Sequence, residues 1–559
     1  MQKILSFFRK EYISINQAAI LLGFFAFLSQ ILGLFRDRFI AHSIGPSPML
    51  DAYYAAFRIP DFIFISVASL ASITVLIPFI VSKMKGEVVT QQARKFLNDV
   101  FTMFLLAMVV VSVFVFMLMP YIVSFITPGF DILMQNKVIE LSRIMLLSPI
   151  FLGLSNLFGS ITQLFRKFFV YALSPIFYNF GIIMGVVFLY PVFGIKGMAF
   201  GVVLGALMHF LIQAFASFQS GFSLRFSYEV DFKEIKKVVY SSLPRTLGLS
   251  LNNIALILII SLASYLKSGS ISIFNLSLNL QSVPLGIIGL SYAVAAFPTL
   301  AKSYATGKID DFKHQLKSAA RQVIFWSLPI TFLFIVLRAQ IVRVILGSGS
   351  FSWENTKLVA ASLAIFSISI VAQGLIALFA RAYYASGNTR RPLIINFFSS
   401  LSIVVFSCYF LYAFASYPLF KNFIESLFRV TDIEGTEVLM LPLAYSAGTL
   451  MNFIFLTIFL KKDFMKKESF ISKTFFQSLS ASFIVGGVAY LSLSFLSPVF
   501  GTNTFWGVFL QGFIAGIAGV ICGIIVLYLL KNQELKDLFM LFKTKFWNNK
   551  VMPPTEETL

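Results

Sequence analysis

The residues able to do chemistry are concentrated between Ser29 and Asp61, SQILGLFRDRFIAHSIGPSPMLDAYYAAFRIPD, where Arg36, Asp37, Arg38, Asp51, Arg58 and Asp61 interrupt two long apolar segments. Ionisable groups inside a bilayer are costly, so they face a cavity or a partner and mark a substrate or ion path. An arginine so placed is a forked donor for phosphate or carboxylate. Two plainer uses compete: Arg36 and Arg38 can snorkel to headgroups from a helix end, or Arg36 can pair structurally with Asp37, Asp51 or Asp61. On this reading Arg36, Asp37 and Arg58 are candidate binding residues, while Gly33, Asp51, Pro60 and Asp61 shape or gate the site. Gly33 lets the helix bend or a partner approach closely, and Pro60 should kink the second segment and free a carbonyl near the cavity. Arg245, in SSLPRTLGLSLNN, either lines the inner mouth of the same cavity or snorkels. Asn279, with Asn252, Asn253 and Asn275, gives polar faces that serve either cargo or helix-to-helix hydrogen bonds.

These side chains must be carried by membrane-spanning helices. Of the 559 residues 58% are hydrophobic and only 12% charged, whereas a soluble domain has about a quarter charged. A span needs about 20 mostly apolar residues, and such runs number about fourteen. The fold class expected is therefore an all-α polytopic membrane protein. The formal net charge of +20 would suggest nucleic acid in a soluble protein. Here it follows from basic residues gathering in alternate loops, which places the loops at Lys83 to Lys95, Arg166 to Lys167, Arg225 to Lys237, Lys302 to Arg321, Arg381 to Arg391 and Lys461 to Lys473 inside, with both termini cytoplasmic.

Two stretches repeat at an offset of about 220 residues. Pro78 and the basic segment after it, ending at Gly86, correspond to Pro298 through Gly307, and QLFRKFFVYALSP to RAYYASGNTRRP. The repeat predicts two pseudosymmetric six-helix lobes facing a central cavity, followed by two extra C-terminal helices. The divisions expected are an amphipathic N-terminus over 1–15, a first lobe over 16–220, a linker over 221–237 that reads as an amphipathic interfacial helix, a second lobe over 238–461, spans thirteen and fourteen over 462–530, and a basic tail over 531–559 suited to anionic membrane lipids.

No phosphate-binding glycine loop, dinucleotide motif or nucleophile elbow occurs. His42, His209 and His314 are scattered and Cys408 and Cys522 lie far apart, so neither a metal site nor a disulfide framework is indicated. No catalytic residue and no organic cofactor is expected, and transport fits the paired charges better than an enzyme does.

SQILGLFRDRFIAHSIG, LDAYYAAFRIPD, FPTLAKSYATG and RAYYASGNTRRP resemble the corresponding stretches of the MurJ (MviN) family of lipid II flippases, in the multidrug/oligosaccharidyl-lipid/polysaccharide exporter superfamily. The resemblance runs through spans one to twelve, and the family too has an extra pair of spans after them. It implies a bacterial plasma-membrane protein that moves the undecaprenyl-diphosphate-linked peptidoglycan precursor from the inner to the outer leaflet by alternating access. It also implies a cationic cavity, a groove at the last two spans for the lipid tail, and cell-wall synthesis proteins as partners. Arg36, Asp37, Asp51 and Pro60 match the family's motifs, and Arg58 stands where members have a basic residue. Gln30, Phe64, Ile65, Leu278 and Asn279 stand where members commonly carry charge, and Ser69 replaces an acidic residue. That departure leaves two further readings open, a flippase for another polyprenyl-linked saccharide and a non-transporting scaffold of envelope synthesis.

Overall fold

The computed structural model describes residues 15–67, 76, 79–80, 82–83, 90–165, 167–219, 225–465, 472–501 and 504–546, and within them all side chains but those of 15–20, 244, 245, 249, 472 and 541–546. Among the described residues every regular element is helical. In chain order the long helices are α1 (Ile15–Ser43), α2 (Pro48–Val67), α3 (Gln91–Ile126), α4 (Ile132–Leu164), α5 (Phe168–Phe193), α6 (Ile195–Gln219), α7 (Phe232–Ala263), α8 (Ser270–Ala305), α9 (Ile309–Val336), the bent pair α10 (Trp353–Ser367 and Ile370–Ala385), α11 (Arg390–Ser416), α12 (Met440–Phe464), α13 (Ser472–Phe500) and α14 (Phe505–Leu529), and an amphipathic α15 (Gln533–Phe546) follows.

Eleven helices among the described residues are long and apolar enough to cross a membrane, or twelve with the bent pair taken as one span. The expected fourteen is not reached by that measure. The first two expected spans coincide with α1 and α2, and α2 carries Asp51, Arg58 and Asp61 within 20 residues. A helix so charged is stable in a membrane only if protein surrounds it. Leu50 through Ala56 are accordingly all buried.

The described residues form two compact units, one of residues 1–283, 342–369 and 387–456, the other of 284–341, 370–386 and 457–559. In the first, α1 packs on α5, α2 on α4 and α7, and α5 on α6. The α5–α6 pair is a glycine zipper: an added Cβ would stand 2.3 Å from the Gly205 Cα at Gly181, and 2.5 Å from the Gly201 Cα at Gly185. Only residues without a side chain allow backbones this near, the device membrane helices use where no hydrophobic drive brings them together. Residues 225–231 are not helical, contrary to the interfacial helix expected of the linker. They run along α3 instead, Arg225 N donating to Asn98 Oδ1 at 2.9 Å and Ser227 N to Thr102 Oγ1 at 2.8 Å, and Asp231 caps α7 by accepting from the amides of Lys233 and Glu234.

In the second unit α13 packs on both α9 and α14. α15 turns back beneath them, and its buried Glu534 accepts from Thr474 Oγ1 at 3.0 Å and lies 3.4 Å from Arg321 Nε. An almost wholly apolar cavity of about 310 Å³ remains there, walled by Trp326, Leu333, Val485, Ile524 and Leu538 among others. The N-terminal segment 1–14, Ser69, most of the Pro78 half of the first repeat pair (residues 78, 81 and 84–86) and the tail beyond 546 lie outside the described residues.

Candidate functional site

A cavity of about 320 Å³ in the first unit collects most of the residues singled out in the sequence. α2 forms one wall with Tyr53, Tyr54, Phe57, Arg58, Asp61 and Phe64, of which Tyr54, Arg58 and Asp61 follow the i, i+4, i+7 spacing of a single helix face. α1 contributes Arg36, Asp37 and Ile40, α5 Tyr178 and Ile182, α4 Leu152, and the first half of α8 Asn275, Leu278 and Asn279.

Arg36 is held on two sides. Its Nε and Nη2 donate to Asp37 Oδ1 at 2.9 and 2.8 Å, and its Nη1 to Asn179 Oδ1 at 3.0 Å. The Asn179 amide donates in turn to the Ser29 hydroxyl at 3.3 Å and the Pro175 carbonyl at 3.3 Å, which fixes which end of the side chain faces the arginine. Asn279 Nδ2 reaches the other Asp37 oxygen at 3.2 Å. Asp37 is thus satisfied at both oxygens, as a carboxylate only 4% exposed must be. Arg58 donates from Nη2 to Asn275 Oδ1, and Asn275 is oriented by its own amide donating to Ile271 O at 2.7 Å.

Two cavity groups have no such partner. The Tyr54 hydroxyl is buried and makes no hydrogen bond among the described residues. Asp61 lines the cavity without a hydrogen bond there, with Arg36 and Arg58 as its charged surroundings. Two arginines and two aspartates line the wall, so its formal charge is zero and not the surplus of cations that the family resemblance implies.

The remaining predicted residues do other work. Asp51 stands in the first turn of α2 and accepts from Gly269 N at 2.6 Å, Ser272 N at 2.7 Å and Ser272 Oγ at 2.5 Å. It thereby caps the start of α8, and hydrogen bonds to a charged acceptor are worth about 1.5–3 kcal/mol each. Arg38 turns from the cavity to the carbonyls of Val344 and Ile345. Beside it Ser350 N donates to His42 O at 3.0 Å, and Gly45 and Gly349 permit this crossing because both hold positive φ, 62° and 58°, with a carbonyl of the facing segment where a Cβ would stand. Pro60 does free the Ala56 carbonyl, but not toward the cavity: the Ser142 hydroxyl of α4 donates to it at 3.3 Å. At Gly33 a Cβ would meet nothing within 4 Å, so the close approach expected there is not seen and α1 runs through it unbroken. Arg245 falls on α7, and its side chain lies outside the described residues.

Sequence reasoning missed Tyr53, Tyr54, Tyr178 and Asn179. The helical spacing of Tyr54 with Arg58 and Asp61 could have found the second. Nothing marks Asn179, one amide in an apolar span.

The family model described as "Lipid II flippase MurJ" matches residues 40–510. The chain belongs to the MurJ family. Among MurJ relatives, a probable lipid II flippase of Thermotoga maritima is 26% identical over 513 residues, covering 92% of this chain and 96% of its own length. One of Rickettsia prowazekii is 27% identical over 386 residues, 68% of this chain and 76% of its own. Among solved structures, a MurJ in an inward closed conformation superposes with a TM-score of 0.71 at 22% identity, over 93% of this chain and 100% of that one. A multidrug MATE transporter of the MOP superfamily follows with 0.63 at 16%, over 81% and 99%. The MurJ fold is thus shared, and the protein is a multi-pass membrane protein of a transporter family.

Proposed function

We propose that this protein flips lipid II, the undecaprenyl-diphosphate-linked peptidoglycan precursor, from the inner to the outer leaflet of the bacterial plasma membrane by alternating access, with both termini cytoplasmic. The observation that carries the reading is the pair of half-buried arginines in one cavity of a MurJ-family chain. Arg36 and Arg58 are fork donors for the diphosphate, with Asn279 and the free Tyr54 hydroxyl as neutral donors. The six-span lobes predicted from the repeat would rock about this cavity. Asp51 and the Arg38 and Ser350 crossings tie α1 and α2 to the start of α8 and to residues 344–350; these bonds close one end and must part for the cavity to open there. The apolar cavity beside α13 and α14 is the place for the lipid tail, since it offers isoprene units a dry wall and nothing else.

The formally neutral wall favours one second reading, a flippase for another polyprenyl-linked saccharide whose headgroup needs fewer cations. Rescue of a bacterium depleted of its own lipid II flippase decides between the two. Growth restored by the wild type and lost with Arg36→Ala supports lipid II; failure of well-expressed wild type, with flipping of a different polyprenyl-linked saccharide in vesicles, supports the second reading.

A further inference from the structure

We propose that a pocket between α3, α4 and α6, apart from the central cavity, binds the diphosphate headgroup of a polyprenyl lipid in the leaflet at that membrane face. This rests on the cargo class proposed above and adds a place where that cargo is held outside the cavity. Successive spans reverse direction, so the starts of α2, α4 and α6 share one face, the face away from the basic loops. Several other cations at this face are answered within the protein: Lys267 pairs with Glu434 at 2.7 Å, Lys357 with Asp432 at 2.8 Å, Arg343 lies 5.8 Å from the centre of the Trp353 ring, and Arg38 meets carbonyls.

The pocket between α3, α4 and α6 breaks that pattern. Lys137, Arg143 and Lys196 line it together with a single carboxylate, Glu140, which meets Lys196 Nζ at 2.5 Å and Lys137 Nζ at 3.6 Å and leaves Arg143 without an acidic partner among the described residues. Arg143 lies 4.5 Å from the Phe116 ring centre and donates from Nε to Phe116 O at 3.4 Å. Those contacts fix its plane, while its terminal nitrogens make no hydrogen bond among the described residues. Three cations against one carboxylate leave a formal charge of +2 in a space of about 620 Å³.

The chemistry of the rim selects the ligand. Phe116 and Phe200 line the pocket and are 46% and 39% exposed, and Phe193, 53% exposed, packs on Phe200, so the ligand enters along a greasy border and carries a tail. A soluble anion has no use for that border. A phosphodiester headgroup carries one negative charge, whereas a diphosphate diester carries two and matches the pocket. Arginine's fork and two lysines around a wet, half-exposed carboxylate are the donors such a headgroup takes up, displacing Glu140 in part. Snorkelling alone spreads lysines along the headgroup layer and does not gather three cations of two helices in one pocket with a single acid.

The test is native mass spectrometry of the full chain with three probes: a polyprenyl-diphosphate saccharide, phosphatidylglycerol and inorganic diphosphate. Removing the three charges in K137Q/R143Q/K196Q should lower retention of the diphosphate lipid about tenfold or more, since a charged hydrogen bond is worth over one decade. Glu140→Gln should raise it, phosphatidylglycerol should change far less, and inorganic diphosphate should not be retained. Unchanged retention in the triple variant overturns the proposal, as does an equal loss of phosphatidylglycerol, which makes this a site for bulk phospholipid, or charge-dependent retention of inorganic diphosphate. Arg36→Ala, tested in parallel, separates the two sites. If it stops flipping but keeps the fraction lost in the triple variant, both proposals stand. If wild type flips nothing yet shows the charge-dependent retention, the function proposed above fails alone; if it flips lipid II and the triple variant retains as much as wild type, only the pocket fails.

Discussion

In the central cavity Arg36 is held by Asp37 and Asn179, Arg58 by Asn275, and Asp61 brings the formal count to zero; the pocket between α3, α4 and α6 is lined by three cations and one acid, Glu140, which pairs with the two lysines. The difference follows from where each site sits. Within the hydrocarbon region a bare guanidinium costs more than any contact returns, so it is stable only when neutralised before cargo arrives. At headgroup depth water does the neutralising, and a surplus of positive charge is cheap. If the proposed sites are right, a cavity built this way would hold its cargo weakly and let go of it, while the outer pocket would be free to hold. Weak central binding is what a carrier needs, because a tightly bound ground state only deepens the well from which translocation starts.

Breaking the central pairing should have the largest effect. Arg36→Ala leaves Asp37 buried with only Asn279, and stripping one partner from a buried pair costs about 3–5 kcal/mol. Thermal melting should fall accordingly and rescue of growth should be lost. The double variant R36A/D37N should recover the melting temperature without recovering growth, because it restores charge balance but not the donor. Melting that is unmoved by Arg36→Ala would mean the pair is not buried from water.

Next in size, Asp61→Asn shifts the cavity from neutral to a formal +1. Charges across a space of these dimensions interact by roughly 2 kcal/mol at an intermediate dielectric. Binding of a polyprenyl diphosphate to the purified protein should tighten by about thirtyfold, and turnover should slow as release becomes harder. Tighter binding with faster turnover would sink the weak-carrier comparison.

Tyr54→Phe is smaller and sharper. The hydroxyl is buried without a partner, so its removal should leave stability unchanged or raise it by up to about 1 kcal/mol. Cargo affinity should fall by about fivefold if the phenol donates to the headgroup; equal affinity in the two proteins would exclude that role.

The smallest effect concerns the face of the basic loops. Glu234 accepts from Lys83 at 3.0 Å and from Lys237 at 3.0 Å, and these hydrogen bonds hold its carboxyl below the ordinary glutamate value. A depressed carboxylate contributes stability that is whole above its unfolded pKa and is lost as pH falls through the folded one. Hydrogen exchange at the first turn of α7 should therefore quicken only below about pH 4.5, and Glu234→Gln should remove that acid response. Exchange that quickens nearer neutrality would point to another group.

What was legible beforehand depended on cost. Arg36, Asp37, Arg58 and Asp61 announced themselves because charge is forbidden where they stand. Asn179 carries no such penalty, and one amide in an apolar helix reads as packing until its partner is seen. The tyrosines were hidden for the same reason, since a phenol suits a core, a headgroup belt or a binding wall equally. Pro60 shows a different limit: that it frees the Ala56 carbonyl follows from its lost N–H, but the carbonyl's direction depends on the rotation of α2, which apolar spacing in a helix buried on nearly every side does not define. Asp51 was set apart from the binding residues as a shaping or gating residue, but its three donors at the start of α8, more than two hundred positions away, left no mark in its own stretch. The expected count of fourteen is not matched by a tally of long apolar helices, which leaves out α1 and α2; in α2 three charges within 20 residues are the reason.

The glycine zipper of α5 and α6 bears on how force travels. Backbones in contact at Gly181 with Gly205 and at Gly185 with Gly201 leave little room for one helix to slide on the other, so a load on either would be expected to move both as one beam. Asn179 is fastened to that beam two residues before Gly181, with its oxygen on the Arg36 guanidinium. Any swing of the hairpin is thus delivered, undamped, to the charge that the cargo would have to share.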